Sequence, residues 1–141
     1  MKRRFKIVVD YGFGLGANYI PTILAERGVE TLGINAYPDE KFMARNPEEL
    51  EHAVLQMQTL VPSLQADLGV VLDSGGERII VIDEHGSRVE QLALIQFFIA
   101  HLLSRFPGKK VVLPLILPQK LISEVQNIKG EVISTKNNLE A

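Results

Sequence analysis

Asp73, Glu77 and Arg78 stand together in the stretch Asp73-Ser74-Gly75-Gly76-Glu77-Arg78, directly behind the apolar run 68–72. Two carboxylates on one tight turn can face a single hard cation, while the guanidinium faces an anion. The run before them reads as a buried strand, and ligands of open α/β sheets bind where such strands end. Mg²⁺ suits the loop because it keeps several waters and needs only one or two carboxylates. The plainer reading is a strand–turn–strand connection. In it Asp73 caps the turn, the glycines supply positive φ, and Glu77 pairs with Arg78 in solvent.

A second glycine-rich stretch, Gly12-Phe13-Gly14-Leu15-Gly16-Ala17, fits G-x-G-x-x-A between a strand and a helix. Two details speak against a dinucleotide there. Asp10 would bring negative charge to the pyrophosphate, and the second strand ends in Asn35-Ala36-Tyr37 instead of the acid that a ribose prefers. The stretch is expected to be a structural turn. His52, His85 and His101 show no ligand spacing and are expected to be structural. Tyr11, Tyr19 and Tyr37 are expected to pack. No serine stands in a G-x-S-x-G setting, and the chain has no cysteine, so thiolate chemistry, cysteine metal sites and disulfides are excluded.

The elements that must position these residues follow from periodicity. Strands are predicted at 5–9, 30–36, 68–72, 79–82, 111–117 and 131–134. Tyr19, Ile20, Ile23, Leu24 and Arg27 recur at helical spacing, closed by Gly28. Asn46-Pro47-Glu48-Glu49 is a helix start with its cap, its N1 proline and its acids at the positive end of the dipole. Leu50, Ala53, Val54, Met57 and Val61 form its apolar stripe, and Pro62 is expected to end it. A long apolar helix, buried on most sides, is predicted over 88–106, either between two layers or with one face docked on a neighbouring domain, and a short one over 119–128. Helices alternate with strands except around the 73–78 loop. The expected fold class is therefore α/β: a three-layer α/β/α sandwich with a mixed, mostly parallel sheet.

Size and charge fit that reading. The chain has 141 residues, 46% apolar and 23% charged, with a formal net charge of −2. That is the composition of one ordinary globular domain. Lys2-Arg3-Arg4 is too short a basic cluster to argue for nucleic acid. The segment 92–103 is too short to span a bilayer. No nucleic acid, no membrane and a cytoplasmic location are expected.

In order and spacing, several segments together resemble the second domain of the α-D-phosphohexomutases, the phosphomannomutase and phosphoglucomutase group. They are Ile7-Val8-Val9-Asp10 with its glycines, Pro38-Asp39-Glu40-Lys41-Phe42, Asn46-Pro47-Glu48, Ala66-Asp67-Leu68-Gly69 with the 73–78 loop, and Val81-Ile82-Asp83-Glu84-His85-Gly86. Ser134-Thr135-Lys136 fits the segment that leaves that domain. The resemblance implies that three aspartates of this loop hold Mg²⁺ against a phosphoserine. Phosphate then moves between the 1 and 6 hydroxyls of a hexose. Asp73 falls on the first aspartate, Gly75 on the second, Glu77 on the third and Arg78 on the phosphate-proximal arginine. Gly75 is thus a lost ligand, and Glu77 reaches one methylene further. Mg²⁺ binding through Asp73 and Glu77, with Ser74 or water completing it, is expected to be weak or absent.

The family's T-A-S-H-N, E-x-S-G-H and R-x-S-G-T-E-P segments do not occur in this sequence. Residues 1–141 are therefore expected to be one module of a longer multidomain protein, with no catalytic residue of their own. Their partners would be the other domains of the same polypeptide and, in the parent, a hexose phosphate. The leading expectation is a non-catalytic mutase-like domain. Its parent would be a sugar-1-phosphate nucleotidyltransferase such as a bacterial mannose-1-phosphate guanylyltransferase. The alternative is the metal domain of a working phosphomannomutase or phosphoglucomutase.

Overall fold

A computed structural model describes residues 3–42, 44–114, 122, 123, 125 and 131–135 of the chain. It divides into two compact units, Met1–Val89 and Glu90–Ala141.

The first unit is built on a four-stranded sheet in the order β2-β1-β3-β4. Its strands are β1 (Lys6–Asp10), β2 (Glu30–Ile34), β3 (Leu68–Leu72) and β4 (Ile79–Asp83). β1 runs parallel to both β2 and β3, and β4 is antiparallel to β3, as the missing helix around the 73–78 loop predicted. The predicted second strand ran to Ala36. It stops at Ile34 because Asn35 turns left-handed, with φ 49°.

Alternation along β1 and β3 divides the core between two faces. Val8 and Val71, with Ile82 of β4, pack against the stripe of α2 (Pro47–Ser63), where Ala53, Val54, Met57 and Val61 are buried. Ile7, Val9, Tyr11 and Leu72 form the opposite cluster, with Ile20 and Leu24 of α1 (Ile20–Glu26) against them. A single 3-10 turn, Leu15–Asn18, leads into α1. Helices on both faces of a mixed sheet make this unit an α/β/α sandwich. Tyr19 and Ile23, expected on the apolar stripe of α1, are 66% and 56% exposed; the seven-residue helix turns Ile20 and Leu24 to the sheet instead.

The start of α2 is as its sequence predicts. The Asn46 side chain accepts from the Glu49 N–H at 2.9 Å, and the Glu49 carboxylate accepts from the Asn46 N–H at 2.8 Å. Its end is not. Pro62 lies inside the last turn, and the helix runs to Ser63. Proline there removes only the bond to the Gln58 carbonyl, which instead faces Gly86 across a close backbone approach.

The second unit contains α3 (Gln91–Arg105) and a two-stranded parallel sheet of β5 (Lys110–Pro114) and β6 (Glu131–Thr135). Ile99, Leu103, Leu113 and Val125 are its buried core. The expectation that α3 is buried on most sides is corrected. Among the described residues one face of the helix is covered, through Ile99 and Leu103, and Phe97, Phe98 and Leu102 are 63%, 50% and 54% exposed. The remainder of the predicted strand 111–117, and the predicted helix 119–128 apart from 122, 123 and 125, lie outside the described residues. Among the described residues no helix is long and apolar enough to cross a membrane.

Candidate functional site

Parallel pairing of β1, β2 and β3 brings the loops that follow them to one edge of the sheet. These loops are 11–16, 35–45 and 73–78. They hold the residues that the sequence singled out.

In the 73–78 loop the Asp73 carboxylate turns inward. Its Oδ1 accepts from the Glu77 N–H at 2.8 Å and from the Arg78 N–H at 3.1 Å. The Asp73 N–H donates to the Arg78 carbonyl, and the Gly76 N–H to the Asp73 carbonyl. The loop is therefore a closed turn capped by its own first residue. Only Gly76 supplies positive φ, at 70°; Gly75 does not, which corrects the expectation for both glycines. The expected Glu77–Arg78 pair does not form either. Both side chains are exposed, and neither is ion-paired among the described residues.

The donor set does not fit a three-carboxylate cation cradle. One Asp73 oxygen is already shared by two amides, Gly75 offers no oxygen from a side chain, and Glu77 stands out in solvent. Among the described residues no three His, Cys, Asp or Glu side chains gather where a metal could sit. Space is not the obstacle at Gly75. A Cβ there would meet only the Glu77 side chain, at 3.6 Å, an ordinary contact.

The glycines of the 11–16 loop serve close approach between backbones. A Cβ on Gly14 would lie 2.2 Å from the Ser74 carbonyl oxygen, and one on Gly12 would lie 2.8 Å from that of Leu72. No phosphate could occupy the face that Ser74 fills, so the structural turn is the reading the geometry supports.

Sequence reasoning missed the centre of this edge. Asp10, read as a repulsive charge and as part of the opening segment of the resemblance but given no bonding role, is 1% exposed. Its Oδ1 accepts from the Gly12 N–H at 2.9 Å, from Asn35 Nδ2 at 3.0 Å and from Arg45 Nη2 at 2.9 Å. Asp10 shares the face of β1 that α2 covers, so it points at the loop that leads into that helix. The Arg45 guanidinium also lies over the Phe13 ring, 5.8 Å from its centroid. Phe13 packs against Tyr37 and Phe42 at 5.3 and 5.1 Å. An aspartate ahead of a glycine turn signals the local bond to Gly12, but no local pattern announces Arg45.

No other candidate side chain bonds to Asp10 or Asp73 among the described residues. His52 is exposed on α2, His85 is exposed beside Glu84, and His101 stacks on Phe97. Tyr37 is 57% exposed, and Tyr11 is buried with a hydroxyl that has no partner among the described residues. Burial raises the Tyr11 phenol above its ordinary value. In the basic N-terminal cluster, Arg3 is tied down by the Asp67 carboxylate and the Gln65 carbonyl.

A family model described as phosphoglucomutase/phosphomannomutase, alpha/beta/alpha domain II, matches residues 1–86. The chain belongs to that family. The matched stretch nearly coincides with the first unit, Met1–Val89. A phosphoglucomutase/phosphomannomutase of Thermococcus kodakarensis is 33% identical over 139 residues, covering 96% of this chain and 30% of that protein. A phosphopentomutase of the same organism is 29% identical over 128 residues, covering 91% of this chain and 28% of that protein. The chain thus spans under a third of the length of these relatives. A crystal structure of a phosphoglucomutase/phosphomannomutase family protein from Burkholderia thailandensis superposes with a TM-score of 0.77. It covers 98% of this chain and 30% of that one at 22% identity, a likeness of fold.

Proposed function

We propose that this chain is a mutase-like scaffold domain of a sugar-phosphate-metabolising protein, and that its cation loop no longer carries chemistry. The observation that carries this reading is the state of Asp73. Its Oδ1 is consumed by the Glu77 and Arg78 amides, while the position of the second family aspartate is Gly75. A Mg²⁺ ion held by Asp73 and Glu77 alone would keep most of its water and little affinity. The domain's work would then be to pack against the other domains of its polypeptide.

Calorimetric titration of the chain with Mg²⁺ tests it. Little heat is expected from the native sequence. Gly75→Asp, which the local space admits, is expected to raise affinity by about tenfold or more, and Asp73→Ala is expected to remove that gain. Tight native binding that disappears in Asp73→Ala would overturn the proposal.

A second reading is favoured by the names of the relatives, which are mutases. In it Asp73, Glu77 and Ser74 or water still hold Mg²⁺, and Arg78 faces the phosphate of a working phosphohexomutase. The full-length product separates the two. A T-A-S-H-N serine upstream supports the mutase, and a nucleotidyltransferase glycine-rich loop upstream supports a guanylyltransferase parent with a silent mutase-like region.

A further inference from the structure

Among the described residues the Asp10 carboxylate makes no hydrogen bond to the 73–78 loop, yet two steps connect them. The first is its bond to the Gly12 N–H, which sets a turn where successive residues are left-handed, Gly12 at φ 56° and Phe13 at φ 57°. A bulky residue such as phenylalanine holds that conformation only when its surroundings impose it. Here they do. The Phe13 N–H donates to the Asn35 carbonyl, the Phe13 carbonyl accepts from the Asp39 N–H, and the ring is clasped by Tyr37, Phe42 and the Arg45 guanidinium. Asn35 and Arg45 are also the other two donors to Asp10. The second step is contact. Gly12 and Gly14 lie directly under Leu72, Asp73 and Ser74, too close for any side chain on either glycine.

We infer that Asp10 is a positioning residue for the 73–78 loop. By gathering Gly12, Asn35 and Arg45 on one oxygen, it fixes the glycine turn, and the turn sets the height at which Ser74 and the Asp73 carboxylate stand. The inference rests on the reading of 73–78 as the family's cation loop for its functional meaning, though not for its geometry. A carboxylate serving only to neutralise Arg45 would leave the glycine turn, and with it the 73–78 loop, indifferent to its replacement.

The test uses the 141-residue chain, amide NMR spectra and native-state hydrogen exchange. Gly14→Ala leaves Asp10, Asn35 and Arg45 in place and wedges a methyl against the Ser74 carbonyl. Asp10→Asn keeps the shape of the side chain and weakens it as an acceptor. Both are expected to move the amide resonances of 73–78. Both are expected to lower protection at the Glu77 and Arg78 N–H groups by about tenfold, while α2 stays within about twofold. Adding Gly14→Ala to Gly75→Asp is expected to weaken the acquired Mg²⁺ affinity by about tenfold. If Gly75→Asp alone gains none, the cation reading fails, and the amide result still decides the role of Asp10. If Asp10→Asn does not fold, Asn35→Gly, which removes one donor to the same oxygen and keeps the left-handed backbone, is read at the same 73–78 amides in its place. Unmoved 73–78 amides in Gly14→Ala would overturn the inference. So would a loss of protection spread evenly over the sheet and α2.

Discussion

Tyr11 carries a hydroxyl that is buried and has no hydrogen-bond partner among the described residues, in a side chain that otherwise fills the core between β1 and α1. An unsatisfied buried donor costs stability that a phenyl ring of the same shape does not. Tyr11→Phe is therefore expected to unfold in urea within about 1 kcal/mol of the native chain at neutral pH, or above it. The pH dependence has a definite sign. Burial raises the folded-state value above the ordinary 10, so the native chain keeps a proton that the unfolded chain releases. The stability tied to the neutral phenol is intact below pH 10 and is lost as pH rises through the raised native value. Urea titrations at neutral pH and above pH 10 should show a smaller alkaline loss in Tyr11→Phe than in the native chain. An equal loss in both would dismiss the effect. At this scale the sequence was half legible. The types and order at 73–78 located the loop, because a strand end, small residues and charges are local signals. The turn cap by Asp73 was legible too, because its bonds to the Glu77 and Arg78 amides are local, whereas the pairing of Asp10 with Arg45, 35 positions on, depended on which loops the parallel sheet brings to one edge.

The element most fully written in the sequence is α2. Its cap, its N1 proline and its buried stripe all stand where periodicity and end chemistry put them, since a helix start is a matter of neighbouring residues. Its packing partner was less visible. Gly69 of β3 lies so close under the helix that a Cβ would come within 2.4 Å of Val61 Cγ2 and 2.8 Å of Met57 Cγ. Gly69→Ala is expected to cost about 1–3 kcal/mol in urea unfolding, through overpacking of a full interface. A loss under half that would mean that α2 slides freely on the sheet. Pro62 was misjudged for a related reason. A proline ends a helix when the turn before it must stay intact, but at the last turn the lost bond falls on one carbonyl, Gln58, which sits against Gly86. Apolar periodicity likewise marked α3 without saying how many layers cover it.

The two units differ in how their sheets are supported. In the first, β1 is hydrogen-bonded on both sides and covered on both faces. In the second, the described sheet is a single parallel pair, and Val112 and Ile133, opposite each other in register, are 59% and 40% exposed. Amides of β5 and β6 are expected to exchange at least about tenfold faster than those of β1 and β3. Equal protection would show that the pair is buttressed as well as the larger sheet. The strand order has a further consequence for the chain as it is made. Of the four strands β1 is synthesised first but gains its partners late: Ile7 must wait for Thr31 on one side and for Leu68 on the other. At ribosomal speed the second wait lasts about 3–12 s. For that time Ile7, Val8 and Val9, the apolar spine of the unit, leave the exit tunnel with one edge unpaired. The nascent protein is then a natural client for whatever shields sticky strands near the ribosome, and its greatest exposure to misassembly ends when Leu72 emerges.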